Sequence, residues 1–409
     1  MKISALRANP FPPFGNFEIE FPHVEEIKDQ ELAEVHLITG PNGSGKTRLL
    51  ALIAASLGST RELGIRGVSA FEDFSGIATD EFGNEKTHWE DLTLLDLIAR
   101  KQTPAMTFCP RAYLEAAEVR ANAEIRVPTV DDALSFSRPS DESNRQLQGI
   151  YTMDLQGATE RSVGISGRYS KMIKSIEGAI ETVTERPFRF VSMVHPKQEL
   201  RVRWGDSPET FEITTLPDGL RSILGWLVQG CVWMDVLQGP ESPDPLNEPV
   251  ILLVDEPETH LHPEWQWRVL PMMQKLFPKA QIFVATHSPF VVSSLNENAW
   301  IHRLSVGAGG KVFVAEAKEV EKGDSYLTAL TEVLGVTGVF DPVNQGLLDE
   351  FKALRSAALQ GGEDEEAKLM AKAEEIAARG MELGHIIGAE LRQYERQKEQ
   401  KAKVNAAKV

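Results

Sequence analysis

Long apolar runs mark the centre of this chain. Val35-His36-Leu37-Ile38-Thr39, Val250-Ile251-Leu252-Leu253-Val254 and Gln281-Ile282-Phe283-Val284-Ala285 read as strands. Continuous apolar runs of this length suit a parallel sheet covered on both faces. Arg48-Leu49-Leu50-Ala51-Leu52-Ile53-Ala54 and Ser222-Ile223-Leu224-Gly225-Trp226-Leu227-Val228 read as helices, so the chain is α/β. Residues 60–110 mix glycine turns with a helix expected over Trp89–Ile98. From Arg111 to about Glu185 the pattern is polar and largely helical, with a loop at Ser137-Arg138-Pro139-Ser140. Arg186–Phe190 and Glu199–Trp204 alternate apolar with basic residues, as half-exposed strands do, and Lys311–Ala315 reads as a last strand. Beyond it, Leu347–Gln397 is rich in Ala, Glu, Lys, Leu and Arg, and breaks at Gly361-Gly362. That predicts two or three helices ahead of a charged tail, Lys398–Val409. The expected organisation is therefore 1–110, a first lobe; 111–185, a helical insertion or lid; 186–315, a second lobe; and 316–409, a helical partner-docking region.

Composition narrows the setting. A chain of 409 residues can hold a full catalytic core and roughly one or two accessory regions. No run approaches the ~20 apolar residues of a membrane span, and Met1–Pro10 turns polar too soon for a secretory leader. Cys109 and Cys231 lie far apart, which suits a reducing cytoplasm. The net charge of −17 argues against coating nucleic acid with the whole surface. Arg186, Arg189, Arg201 and Arg203 keep a local basic patch, and so nucleic acid, open; a solvated sheet face is the alternative.

The chemistry begins at Gly40-Pro41-Asn42-Gly43-Ser44-Gly45-Lys46-Thr47, a complete phosphate-binding loop between a strand and a helix. Its backbone N–H groups and the helix N-terminus suit the β- and γ-phosphates of ATP. Lys46 is expected to reach those phosphates, and the Thr47 hydroxyl to ligate Mg²⁺.

Three further segments fit that loop. Asp255 and Glu256 follow an apolar strand, where ligands of open α/β sheets bind. Asp255 is placed to hold Mg²⁺, and Glu256 to act as general base toward the attacking water. His287, in Ala285-Thr286-His287-Ser288-Pro289, ends another strand and would sense the γ-phosphate. Leu216-Pro217-Asp218-Gly219-Leu220-Arg221 opens a helix, either a second anion-binding spot or simply a capped helix start. His260 and His262, with Glu258 nearby, have poor spacing for zinc.

Gly40–Thr47, Leu216–Leu220, Asp255–Glu256 and His287, taken in order, resemble the heads of ABC-type ATPases. Glu256-Pro257-Glu258-Thr259-His260-Leu261-His262-Pro263 and Ala285–Pro289 resemble in particular the OLD-like and Septu-type (retron-associated) ATPases of bacterial phage defence. The resemblance covers roughly residues 1–60 and 185–315 and implies a P-loop NTPase of ABC-head type with a helical insertion and a helical C-terminal region. It makes Gly40–Thr47 the Walker A loop, Asp255 the Walker B aspartate, Glu256 the catalytic base and His287 the switch histidine. It makes Pro217, Asp218 and Gly219 part of a signature that reaches ATP on a second subunit, and Leu261–Pro263 a dimer-contacting loop. Pro217 replaces the usual signature serine, removing a hydroxyl and an N–H donor. Slow hydrolysis, or ATP serving chiefly to hold a dimer together, is consistent with that change. Gln102 is a weak match to the glutamine loop.

The resulting expectation is a homodimer or higher homo-oligomer that sandwiches ATP between its heads, senses infection and controls a separate nuclease. This sequence shows neither an HNH-type nor a TOPRIM-like site, so the nuclease, expected to be HNH-like, would arrive as a separate chain. The alternative is a recombination or repair ATPase that clamps duplex DNA. The 111–185 insertion is too short for the long arms of SMC-like proteins.

Overall fold

A computed structural model describes residues 2–8, 13–15, 17–23, 32–56, 76–80, 85–87 and 105–108, then a few positions between 153 and 162. Apart from 192–200 and shorter gaps, it also describes residues 167–406. The helix expected over Trp89–Ile98, Gln102, Cys109 and most of 111–167 lie outside the described residues. The chain folds into two units, Met1–Gly335 and Val336–Val409.

In the first unit the elements run β1 (Ile3–Ala8), β2 (Phe17–Glu20), β3 (Glu34–Thr39), α1 (Lys46–Ser56), β4 (Gly76–Asp80), β5 (Glu85–Thr87) and β6 (Ala105–Phe108). They continue with α2 (Arg168–Thr184), β7 (Phe188–Val191), β8 (Arg201–Trp204), β9 (Phe211–Glu212), α3 (Asp218–Gln238) and β10 (Val250–Asp255). The last are α4 (Pro263–Leu276), β11 (Ala280–Ala285), α5 (Pro289–Ser293), β12 (Ala299–Val306), β13 (Val312–Val314) and β14 (Lys318–Glu319).

The central sheet runs β13-β12-β3-β11-β10-β6, with β14 also on β12. The five strands from β12 to β6 are parallel; β13 and β14 pair with β12 antiparallel. Alternate side chains explain the continuous apolar runs. Val35, Leu37, Leu252, Val254, Ile282 and Val284 enter one core with α2, α3 and α4. Ile38, Ile251, Leu253, Phe283 and Ala285 enter the other with α1, whose Leu49–Ala54 are all fully buried. Strands buried on both faces need apolar residues at every position. Sheets β2-β1-β4-β5 and β7-β8-β9 are smaller and antiparallel.

A buried polar group interrupts this core. His36 Nε2 lies 2.9 Å from Glu34 Oε1, and His36 Nδ1 lies 3.1 Å from His302 Nε2 on β12. Gln281 Nε2 donates to Glu34 Oε1 at 3.2 Å and to the Ile3 carbonyl at 2.9 Å, fastening β1 beside β11. Burial pushes Glu34 up, but hydrogen bonds from His23, His36 and Lys2 outweigh it and hold the carboxyl well below the usual range. Burial pushes both His36 and His302 down, so each ring is held neutral.

Two expectations about organisation change. Helix α2 falls inside the stretch read as a lid, yet Met172, Ile176, Ile180 and Val183 are core residues packed with α3 and α4. Its buried stripe is narrow among polar residues, which made the segment look peripheral. The C-terminal boundary moves from 316 to 336, because β14 pairs with β12 and Ala329, Val333 and Leu334 pack into the first unit's core.

The second unit is α6 (Pro342–Gln360), α7 (Glu363–Ala377) and α8 (Met381–Ala406). Leu369, Ala373, Ile376, Leu383, Ile386, Ile387 and Leu391 pack with Leu348, Phe351 and Tyr394. The apolar positions of this stretch, expected to dock a partner, are therefore consumed within their own three-helix core.

Candidate functional site

The strand order brings three tips together. Strand β3 runs into the phosphate loop and β10 ends at Asp255; between them lies β11, which ends beside His287. Backbone bonds join the tips: Thr286 N donates to the Ile38 carbonyl at 3.2 Å, and Glu256 N to that of Ala285 at 2.8 Å.

The loop's shape follows from Gly40. A Cβ there would lie 2.6 Å from the Leu304 carbonyl oxygen and 2.9 Å from Ser44 Oγ, and its φ of 149° lies outside the range other residues adopt readily. Pro41, Asn42 and Gly43 are exposed at the crest, whereas Ser44 and Lys46 are buried. Lys46 Nζ donates to the Gly40 and Pro41 carbonyls at 3.0 and 3.2 Å. Burial lowers its pKa to about 8, against the opposing pull of Asp255 and Glu258. Thr47 Oγ1 donates to Asp255 Oδ1 at 2.9 Å, and Asp255 is buried.

These residues fit a magnesium-bound triphosphate. Ser44 Oγ is buried without a hydrogen-bond partner inside the loop. Lys46 offers a cation, and Thr47 and Asp255 place a hydroxyl and a carboxylate oxygen within one ion's reach. Such a metal would supply charge neutralisation at the phosphates.

Glu256 occupies the turn after β10 with φ 50°, the left-handed region that a side-chain-bearing residue enters at some cost. Two residues on, Glu258 Oε1 accepts from Thr286 Oγ1 (2.9 Å), His287 N (2.8 Å) and Ser288 N (3.1 Å). Burial pushes the Glu258 carboxyl up, and these donors pull the other way. Ser288 Oγ donates to Gln266 Oε1 at 2.6 Å, and Gln266 Nε2 donates to the Leu261 carbonyl at 2.9 Å. Sequence reading passed over Glu258 and Gln266. The signal was the second acid in Glu256-Pro257-Glu258, read only as a neighbour of two histidines.

Pro217 is the N-cap of α3, and Pro217 and Asp218 are exposed. Asp218 pairs with Arg221. Gly219 lies within the first helical turn rather than in a preceding turn. A Cβ there would sit 2.6 Å from the His260 carbonyl oxygen, so glycine lets the helix start press against the 258–262 loop. His262 caps α4 by accepting from Glu264 N at 3.4 Å, and no metal-binding cluster occurs among the described residues. Two of the four arginines of the patch face carboxylates: Arg189 pairs with Glu181 and Glu177, and Arg201 lies 3.6 Å from Glu212; Arg186 lies over Trp204. No helix among the described residues is long and apolar enough to cross a membrane.

A phosphate loop, an acid-tipped strand next but one to it and a parallel α/β sheet define a P-loop ATPase fold. Residues 206–293, from ahead of the signature segment through His287, match the family described as "AAA domain, putative AbiEii toxin, Type IV TA system". The chain is similar in part to two retron proteins described as probable ATPases and to a Septu protein. It is 26% identical over 186 residues to "Retron Ec83 probable ATPase" of Escherichia coli, covering 45% of this chain and 34% of that protein. It is 31% identical over 105 residues to "Septu protein PtuA" of Bacillus thuringiensis, covering 25% and 26%. Against "Retron Vc95 probable ATPase" of Vibrio cholerae serotype O1 biovar El Tor the values are 34% over 83 residues, 20% and 16%. The matches thus span well under half of those relatives' own length. Among solved structures, an SMC head bound to the C-winged helix domain of ScpA aligns with a TM-score of 0.48 at 13% identity, covering 78% of this chain and 98% of that one.

Proposed function

We propose that this chain is an ABC-type ATPase that hydrolyses ATP to ADP and phosphate and serves as sensor and regulator in an antiphage defence complex. The Thr47–Asp255 contact carries the catalytic reading, since it converges the phosphate loop and the strand-tip acid on one metal position. In this reading Lys46 neutralises the β- and γ-phosphates, and Thr47 and Asp255 hold Mg²⁺. Glu256 accepts a proton from the attacking water, and His287 orients that water beside the γ-phosphate. The exposed start of α3, Pro217–Gly219, completes the site on a second copy of the chain, making the active form a homodimer or larger. The effector is a nuclease on a separate chain. The kinship with retron and Septu ATPases supports this assignment. A duplex-clamping role is less well supported, because Arg189 and Arg201 of the basic patch face carboxylates.

The test pairs two variants. Glu256→Gln should bind Mg²⁺-ATP while turnover falls, and Lys46→Ala should weaken binding itself. Equal turnover by wild type and Glu256→Gln would remove Glu256 from its role. Co-expression with the neighbouring genes, followed by purification, tests for a stoichiometric nuclease; salt-sensitive duplex binding by this chain alone would favour the clamp.

A further inference from the structure

We infer that Glu258 is a positioning residue, a clamp that fixes His287 relative to Glu256; this rests on the reading of His287 and Glu256 given above. A single carboxylate oxygen gathers donors from three successive residues, Thr286, His287 and Ser288, at 2.8–3.1 Å. Hydrogen bonds to a charged acceptor are the strong ones. Here they fall on the segment that carries the histidine, and two of the donors are its backbone amides. On the other side Glu258 belongs to the turn that begins at Glu256: Thr259 N donates to the Glu256 carbonyl at 3.1 Å, and Leu261 N to that of Glu258 at 3.0 Å. The Gln266 bridge from Ser288 to Leu261 closes the same loop a second time. The two segments that follow β10 and β11 are thereby joined as one body.

The second carboxylate oxygen, Oε2, is buried and has no hydrogen-bond partner among the described residues, so Oε1 carries the clamp. The arrangement separates hydrogen bonding from charge. Glutamine keeps an oxygen acceptor on an uncharged side chain, whereas alanine removes both. A clamp should tolerate the first and fail with the second.

The experiment measures steady-state Mg²⁺-ATP turnover, and ATP affinity by a fluorescent ATP analogue, on the full chain. His287→Ala and Glu258→Ala should each lower kcat by about 10²-fold, the effect of losing or misplacing the group that orients the water, with ATP affinity within about threefold. The double variant should be no slower than the slower single one, because both remove the same placement. Glu258→Gln should stay within about fivefold of wild type, since its amide oxygen still accepts. Should Glu258→Ala fail to fold, Thr286→Val decides: deleting one donor should lower kcat several-fold at unchanged affinity, and wild-type turnover would overturn the clamp. A slow His287→Ala beside a fast Glu258→Ala, or losses that multiply in the double variant, overturns this inference alone. A His287→Ala chain with wild-type turnover overturns the reading of the histidine, and the clamp with it.

Discussion

Thr47 Oγ1 donates to Asp255 Oδ1 at 2.9 Å across 208 residues of sequence. The contact exists because β11 holds β3 and β10 one strand apart, so their tips open onto the same crevice. A divalent cation there would have both oxygens within reach. Chelating Mg²⁺ should abolish turnover. Asp255→Ala should raise the Mg²⁺ concentration needed for half-maximal rate by tenfold or more, an effect on the order of 1.4 kcal/mol. A magnesium titration of both proteins checks this.

Glu256 sits at φ 50°. Glycine adopts that conformation without the Cβ penalty, so Glu256→Gly should stabilise the fold by about 0.5–1 kcal/mol while turnover is lost. The gain is a melting midpoint higher by about 1–2 °C. An unchanged or lower midpoint would mean that contacts of the glutamate outweigh its backbone strain.

Gly219 presses α3 against the 258–262 loop. Gly219→Ala should cost about 1–3 kcal/mol, since the obstructing atom is a backbone oxygen. Chemical denaturation reports the loss, and ATP-dependent dimerisation, followed by sedimentation, should fall with it. Wild-type behaviour in both measurements would show that the helix start has room to retreat.

His36 and His302 set a pH limit. Each ring binds a proton less readily folded than unfolded, where the pKa is about 6.5. As pH drops below that value the unfolded chain takes up protons that the folded chain refuses, so stability falls. The slope is at most about 1.4 kcal/mol per pH unit for each ring. Glu34, held below its ordinary range, adds to the same trend at lower pH, where it protonates in the unfolded chain first. Melting curves between pH 7 and 5 should show the decline, and His302→Gln should flatten it.

Much of this site was legible because its parts are local in sequence. Each strand buried on both faces announces itself as an apolar run, and the polar residue that ends it marks a tip. Asp255, Glu256 and His287 could be found that way, and Lys46 and Thr47 from the loop between β3 and α1. Glu258 could not, because its meaning lies in a hydroxyl and two amides 28–30 residues away. Helix α2 was misplaced for a related reason: its apolar stripe is sparse along the chain and becomes core only when α3 and α4 close over it. Gly219 looked like punctuation before a helix, but its lack of a side chain answers to a carbonyl of a distant loop. The C-terminal stripes fit self-packing and docking equally well by periodicity alone.

Helix α1 has a mechanical consequence. Leu49 to Ala54 have no solvent-facing side, so the loop ahead of them is grafted to a helix buried in closely packed core. A pivoting loop would have to drag the whole interior with it. In the proposed dimer, work drawn from a spent phosphate would therefore leave through the periphery, where Pro217 and Asp218 are open to water.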